Sequence, residues 1–179
     1  GEVKGFDPAA WIPAKDIKKM DPFVHYGVAA AIMALRDAGM ETLGEEEAER
    51  IGVAIGAGIG GLNGIEETTL KYAAGGPRKI SPFYVPSTII NMISGQVSIM
   101  TGARGPNIAA VTACTTATHN IGLAMRMIQY GEADAMIAGG AEFATTPTAL
   151  GGFAAMKALS TRNDEPTKAS RPWDKDRDG

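Results

Sequence analysis

The segment VTACTTATHN, at residues 111–120, contains the only cysteine of the chain, Cys114, and one of its two histidines, His119. A β-branched run precedes Cys114, and a helical pattern follows it directly. The first turn of a helix has unpaired N–H groups and the positive end of the helix dipole, which favour a thiolate and can hold an oxyanion. A small buried thiol is the competing interpretation, because free cysteine is among the most buried residue types. Position alone leaves both interpretations open.

The two histidines are not placed to form a local dyad with Cys114. His119 follows it by five residues, which puts the two side chains about 140° apart on a helix. We therefore predict that His119 is packed or hydrogen-bonded within the helix layer. His25, inside the first predicted helix, receives the same structural interpretation. If Cys114 is catalytic, its acid–base partners lie outside this chain.

Three further patterns have a chemical alternative but favour a structural role. GAGIGG at 56–61 follows a predicted strand and fits G-x-G-x-x-G, but no short strand ending in Asp or Glu follows it, so a close-packing turn is favoured over a dinucleotide site. Glu142 is expected to accept hydrogen bonds near Thr145 and Thr146 rather than to act as an acid or base. WDKDRDG at 173–179 lacks the spaced ligands and final Glu of a calcium loop. We therefore predict no metal site.

Strand and helix patterns alternate along the chain. Short β-branched runs that close on glycines predict buried strands, whereas apolar residues three and four apart predict helices. The predicted strands are 50–58, 107–113 and 133–142; the predicted helices are 21–39, a short one at 65–73, 87–101, one from Cys114 to near Gly131, and 147–158; 39–50 and 160–179 are predicted loops. This order indicates an α/β fold with a largely parallel, buried sheet.

The composition fits one globular domain and argues against several classes of protein. The net charge of the 179 residues is −3, which gives no indication of nucleic-acid or anionic-membrane binding. One cysteine forms neither an internal disulfide nor a cysteine-based zinc site. The longest apolar run, at 27–35, is too short to span a bilayer, and no secretion signal opens the chain. We expect a cytoplasmic protein whose natural start lies upstream.

Several long blocks resemble one known family. GAGIGGL, GGPRKISPFYVPSTIINM, TACTTATHNIGLAMRMIQYGEADAMIAGGAE and ALSTRNDEPTKASRPWDKDRDG are similar to the β-ketoacyl-acyl carrier protein synthases, and the resemblance covers essentially the whole chain. It implies a thiolase-like fold, two α/β halves stacked as layered αβαβα, in a homodimer. It also implies acyl transfer from acyl carrier protein to Cys114, followed by decarboxylative Claisen condensation with malonyl-carrier protein in fatty acid elongation. No cofactor or metal is implied.

The resemblance also assigns roles to single residues. Ile59 and Phe153 match acyl-pocket residues, and Tyr84 matches an aromatic residue that reaches toward the partner subunit's pocket. The strand at 107–111 matches the one that pairs across the dimer axis, and the backbone amide of Cys114 would belong to the oxyanion hole. The basic groups expected to face the acidic carrier protein are Lys15, Lys18, Lys19, Arg78, Lys79 and Lys157.

The family's two catalytic histidines, second oxyanion-hole amide and first strand have no counterpart in residues 1–179. The resemblance therefore implies that this chain is most of the N-terminal half of a ketosynthase domain and is inactive by itself. Two alternatives remain. A non-catalytic partner like the chain-length-factor subunits typically lacks the cysteine, so Cys114 argues against it. A thiolase acting on coenzyme A is disfavoured by RKISPFYVPSTI and by the 160–179 segment.

Overall fold

The computed structural model describes residues 3–179, which fall into two units, Val3–Phe143 and Ala144–Gly179. The strands of the larger unit are β1 (Ile51–Gly56), β2 (Asn107–Ile108) and β3 (Ala135–Gly140). Its helices are α1 (Ala14–Ile17), α2 (Pro22–Asp37), α3 (Glu45–Arg50), α4 (Leu62–Gly75), α5 (Tyr84–Thr88), α6 (Met92–Thr101) and α7 (Thr116–Gln129), with 3-10 turns at Pro8–Ala10 and Pro77–Lys79. The smaller unit contains α8 (Pro147–Ala155) and a 3-10 turn at Pro166–Lys168.

The three strands form one parallel sheet in the order β2-β1-β3, as the alternation of strands and helices predicts. All six residues of the central strand β1 are buried. Ile51, Val53 and Ile55 contribute to the main apolar core, which includes Phe23 of α2 and Ile93 of α6. Because successive side chains of a strand alternate between faces, the other face of β1 is left for α7.

Two of the predicted elements, a loop and a helix, differ from the structure. The predicted loop 39–50 contains α3, because Glu47 accepts a hydrogen bond from Gly44 N (3.1 Å) and the acidic first turn suits a helix N-terminus. The single helix predicted at 87–101 is instead α5 and α6. The carbonyl of Thr88 accepts a hydrogen bond from Gly61 N (3.0 Å), so it is not used to continue the helix, and Ile89 is extended.

Within residues 3–179, no helix is both long enough and apolar enough to cross a membrane.

Candidate active site around Cys114

Cys114 lies in a tight turn between β2 and α7, and its side chain is exposed. The amide of Thr115 donates a hydrogen bond to Thr112 O (3.2 Å) across this turn. Ala113 has φ 53°, a left-handed conformation that residues with a side chain rarely adopt. The thiol therefore precedes the first turn of α7, as predicted, and the buried-thiol interpretation does not hold for this chain.

The strand that leads to Cys114 is shorter than predicted, because a side chain replaces a neighbouring strand. β2 contains only two residues of the predicted 107–113. At Ala110 the N–H donates to Asn120 Oδ1 (3.0 Å), and the C=O accepts from Asn120 Nδ2 (3.1 Å). Asn120 is fully buried and also donates to Thr116 O (2.9 Å). The amide of Asn120 thus fixes the approach to the cysteine turn.

The first residues of α7 also hold Thr112. Its N–H donates to Thr116 Oγ1 (2.9 Å), and its carbonyl accepts from Thr115 Oγ1 (2.7 Å). Its hydroxyl is hydrogen-bonded to His119 Nδ1 (2.6 Å). His119 is exposed, so it is hydrogen-bonded, as predicted, but not packed. Asn120 and Thr112 were not predicted as site residues. The available signal was a polar residue four positions after Thr116, on the same helix face.

The glycine-rich turn at 56–61 joins β1 to α4 and carries Ile59, whose side chain is 40% exposed. Both carboxylate oxygens of Glu142 accept hydrogen bonds from this turn. Ile59 N donates to Oε2 (2.7 Å), and Gly60 N donates to Oε1 (3.0 Å). The prediction that Glu142 is an acceptor is correct, but its partners are these amides rather than groups near Thr145 and Thr146. The Glu142 carboxylate thus binds backbone amides of the kind that would bind the phosphate of a dinucleotide, which agrees with a structural role for this turn.

Close backbone contacts bring the Ile59 turn to the cysteine turn and to α5. A Cβ added to Gly58 would lie 3.1 Å from Ala113 O, so the residues beside Ile59 and Cys114 touch. A Cβ on Gly61 would lie 2.3 Å from the Cα of Thr88, which only glycine avoids. Thr88 ends α5, the helix that begins with the half-buried Tyr84. The structure thus brings the turns of Cys114 and Ile59 together, whereas Tyr84 is linked to them only through α5.

Two predicted site residues belong to the smaller unit. Phe153 lies on α8 and is 37% exposed. Lys157 follows that helix, is exposed and has φ 58°. Thr146 caps α8 by accepting a hydrogen bond from Ala149 N (3.3 Å), which confirms the predicted start of this helix.

The predicted carrier-protein docking residues of the larger unit form two groups. Lys15 and Lys18 are exposed on and beside α1, where Lys19 pairs with Asp16 (2.6 Å) and lies over the ring of Phe83 (5.6 Å). Lys18 lines a cleft of about 170 Å³ with residues of α4 and α5, including Tyr84.

Arg78 and Lys79 are exposed beyond the other end of α4. From Gly64, which also lines the cleft, to Gly75 is about 16 Å along a helix axis. That length exceeds the screening length of about 8 Å at physiological salt, so the two groups act as separate patches of charge.

A buried acid and the second histidine anchor the start of α2. The Asp21 carboxylate accepts hydrogen bonds from Gly64 N (2.7 Å) and from Phe23 N (3.4 Å). Burial raises the pKa of Asp21, and these two hydrogen bonds oppose the shift. His25 is buried, and its Nε2 donates to Ile17 O (2.9 Å), which agrees with the structural role predicted for it.

An apolar cavity of about 360 Å³ lies between α2 and the strands β1 and β3, and none of the predicted site residues lines it. Across residues 3–179, no group of three or more His, Cys, Asp or Glu side chains is arranged to hold a metal ion.

The comparisons with known proteins identify the family. The family described as "Beta-ketoacyl synthase, N-terminal domain" matches residues 1–179. The chain belongs to the β-ketoacyl synthase family. The chain is 65% identical over 179 residues to the 3-oxoacyl-[acyl-carrier-protein] synthase 2 of Vibrio cholerae, and 63% identical to that of Vibrio harveyi. All of the chain is aligned in both cases, but it spans only 43% of the length of each relative.

Solved structures establish the fold. A β-ketoacyl synthase from Burkholderia phymatum, 32% identical, superposes with a TM-score of 0.85 over 99% of this chain and 43% of that one. A type II PKS ketosynthase in complex with its acyl-carrier protein, 24% identical, superposes with a TM-score of 0.77 over 88% of this chain and 46% of that one, and supports the fold alone. The expected α/β, thiolase-like fold is therefore confirmed.

Proposed function

We propose that the complete protein containing this chain is a β-ketoacyl-acyl carrier protein synthase of fatty acid elongation, with Cys114 as its nucleophile. The observation that carries the proposal is the exposed thiol of Cys114 in a strained turn directly before α7, in a chain 65% identical to a 3-oxoacyl-[acyl-carrier-protein] synthase 2. A helix N-terminus favours the thiolate that must attack. Because the chain spans 43% of that relative, the activity belongs to the complete protein.

The first half-reaction is acyl transfer. The Cys114 thiolate attacks the carbonyl carbon of an acyl thioester, a new C–S bond forms, and the oxygen becomes an oxyanion that the Cys114 amide helps to hold. Collapse of this intermediate expels the carrier thiolate, which takes up a proton, and leaves the acyl group on Cys114. In the second half-reaction malonyl-carrier protein loses carbon dioxide, its carbanion attacks the acyl carbonyl, and Cys114 leaves as the thiolate.

From the family resemblance, we assign Ile59 and, toward the partner subunit, Tyr84 to the acyl pocket. For Phe153, which lies in the smaller unit, the resemblance alone supports this role. The contact between Gly58 and Ala113 supports the assignment of Ile59, because it places the Ile59 turn against the turn of the nucleophile. Glu142 also holds that turn in place, because its carboxylate accepts hydrogen bonds from the amides of Ile59 and Gly60.

Acyl carrier protein is the proposed partner. The family resemblance assigns its docking to Lys15, Lys18, Lys19, Arg78 and Lys79 in the larger unit, and it alone assigns Lys157 in the smaller unit. We expect Lys18→Glu to slow acyl transfer from carrier protein about two- to fivefold at low salt, because exposed charges act mainly on encounter rate. Transfer from a small acyl thioester is expected to be unchanged, and Lys175→Glu serves as the exposed control. Equal loss with both donors would contradict docking at Lys18.

We also propose a homodimer through residues 107–111. The backbone groups that face inward here are already bonded. Pro106 O, directly before the segment, accepts a hydrogen bond from Val53 N (2.7 Å), and Asn120 bonds both backbone groups of Ala110. Alternate residues of an extended segment point their backbone groups to the opposite edge. Ala109 and Val111 therefore present N–H and C=O groups outward, and an open apolar edge invites a second copy. If light scattering shows a folded monomer at micromolar concentration, the proposed homodimer is wrong.

The proposed chemistry depends on a free thiol, which a reducing compartment preserves. We therefore place the protein in the cytoplasm.

The test of the function is product formation by the complete protein. We expect acyl-carrier protein and malonyl-carrier protein to yield 3-ketoacyl-carrier protein and carbon dioxide. Two acyl-coenzyme A molecules, the substrates of a thiolase, are expected to yield no product. Product from coenzyme A substrates alone would favour a thiolase. Absence of any acylation together with formation of a stable heterodimer would favour a non-catalytic partner subunit.

A further inference from the structure

The turn that presents Cys114 contains a backbone conformation that does not persist by itself. Ala113, with φ 53°, is neither glycine nor one of the short polar residues that adopt this region more readily. Such a conformation persists only when the surrounding structure over-determines it, and it is commonly found where function requires it. The groups that hold the neighbouring residues therefore decide where the Cys114 thiol points.

Every polar group of Thr112, the residue before Ala113, is hydrogen-bonded to the start of α7. The N–H and C=O are bonded to Thr116 and Thr115, and the hydroxyl is bonded to His119 Nδ1 at 2.6 Å. The His119 contact is the shortest of these bonds. It is also the one in which both partners contribute a side chain, so either can be changed without altering the backbone.

Helix geometry explains why His119 reaches Thr112. His119 is three residues after Thr116 and four after Thr115, so the three share one face of α7. Helical side chains lean toward the N-terminus, which directs the imidazole back over the first turn. The same geometry leaves His119 away from Cys114 itself.

We propose that His119 is a positioning residue, which acts through Thr112 to hold the strained turn that aims the Cys114 thiol at the first turn of α7. Loss of this hydrogen bond lets Ala113 relax, and the thiol then turns away from the α7 amides without unfolding of the helix. The proposal rests on the proposed function only for the role of Cys114 in catalysis. The orientation of the thiol is measurable without any acyl substrate.

The test uses the rate at which iodoacetamide alkylates Cys114 in the native, full-length protein at pH 7, followed by mass spectrometry of the peptide that contains it. Thr112→Val and His119→Phe each remove one partner, and we expect each to lower the rate about tenfold, the scale of one hydrogen bond. The double variant is expected to react no more slowly than either single variant, because both remove the same bond. Thr112→Ser and His119→Asn retain a partner and are expected to stay within about twofold of the parent.

Thr118→Val is the matched control, since it removes an exposed hydroxyl from the same helix turn. Unchanged rates in Thr112→Val and His119→Phe would overturn the proposal, as would additive losses in the double variant or an equal loss in Thr118→Val. So would a loss in Thr112→Ser as large as in Thr112→Val. If this pattern is obtained but Cys114 is never acylated, the proposed function fails while the positioning role stands. If Cys114 is acylated but Thr112→Val and His119→Phe show no coupling, the positioning role fails while the proposed function stands.

Discussion

The two ends of helix α7 are held in different ways. At its N-terminal end, hydroxyl and amide side chains on and just before α7 bond the backbone of residues 110–112, and the His119 imidazole bonds the Thr112 hydroxyl. Cys114 is left exposed in a strained turn. At its C-terminal end, the Arg50 guanidinium bonds Gly131 O (2.9 Å), Glu132 O (3.4 Å) and the Asp134 carboxylate (2.7 Å). One end is built without a formal ion pair, and the other is built around one.

The difference follows from what each end has to do. A guanidinium or carboxylate next to Cys114 would compete with the helix amides and would itself decide the charge state of the thiol. Uncharged hydrogen-bonding groups fix the backbone without this effect. The C-terminal end only has to close the helix, and the Arg50 side chain complements its exposed carbonyls. There the hydrogen bond from Arg50 holds the pKa of Asp134 below its usual range.

The largest effect is expected at Cys114 itself. Cys114→Ala removes the nucleophile, so acyl transfer by the complete protein should fall by a factor on the order of 1000 or more. Arg50→Ala, at the other end of α7, should retain most of the parent activity. Steady-state rates with acyl-carrier protein measure both. Comparable activity in Cys114→Ala and the parent would remove the nucleophile from the N-terminal end.

Asn120→Ala should give the largest loss of stability. It leaves the N–H and C=O of Ala110 without their partner, and an unsatisfied buried group costs about 1–3 kcal/mol. Asn120 is fully buried, whereas Arg50 and Asp134 are exposed, so Arg50→Ala is expected to have a smaller effect on the free energy of unfolding. Urea unfolding of the complete protein compares them. A larger loss in Arg50→Ala would reverse the contrast between the two ends.

Ile59→Phe should change selectivity more than stability. The larger side chain fills space beside the turn of the nucleophile, at a strain of about 1–3 kcal/mol with the longest acyl chains. The longest accepted chain should therefore become shorter. Ile65→Phe, six residues later on α4 and exposed to a similar degree, is the matched control. Rates across a series of acyl donors that are the same for both variants and the parent would exclude Ile59 from the pocket.

The smallest effect is expected from the ion pair at the C-terminal end. Because the pKa of Asp134 is lowered from 3.8 in the folded protein, the carboxylate contributes stability above that value, and the contribution is lost as the pH falls through the folded pKa. Asp134→Asn should thus be slightly less stable than the parent at pH 7, and the difference should shrink as the pH falls below 3.8 and through the lowered folded pKa. A difference that persists at low pH would show that charge is not its source.

Much of the framework could be predicted from the sequence, because it depends on local patterns. The apolar run of β1, the Asp21-Pro22 start of α2 and the periodicity of α7 are signals that neighbouring residues carry together. The position of Cys114 before a helix followed from the same patterns. The turn at Gly61 was predicted to pack closely, and it does so against Thr88.

The rest depends on contacts between distant residues. Asn120 takes the place of a strand beside Ala110, and no local pattern distinguishes a buried asparagine that completes a sheet from an exposed one on a helix. Glu142 bonds Ile59 and Gly60, more than 80 positions away, whereas nearby threonines were the simpler expectation. His119 was predicted to be hydrogen-bonded, but its bond to Thr112 requires knowing how the strained turn folds back.

Locating the acyl group shows whether the N-terminal end of α7 carries the acylated nucleophile. The complete protein is incubated with acyl-carrier protein in the absence of malonyl-carrier protein, digested, and analysed by mass spectrometry, with Cys114→Ala in parallel. We expect one acyl group, attached to Cys114 and absent from the variant. An acyl group on another residue, or equal acylation of the variant, would contradict this expectation.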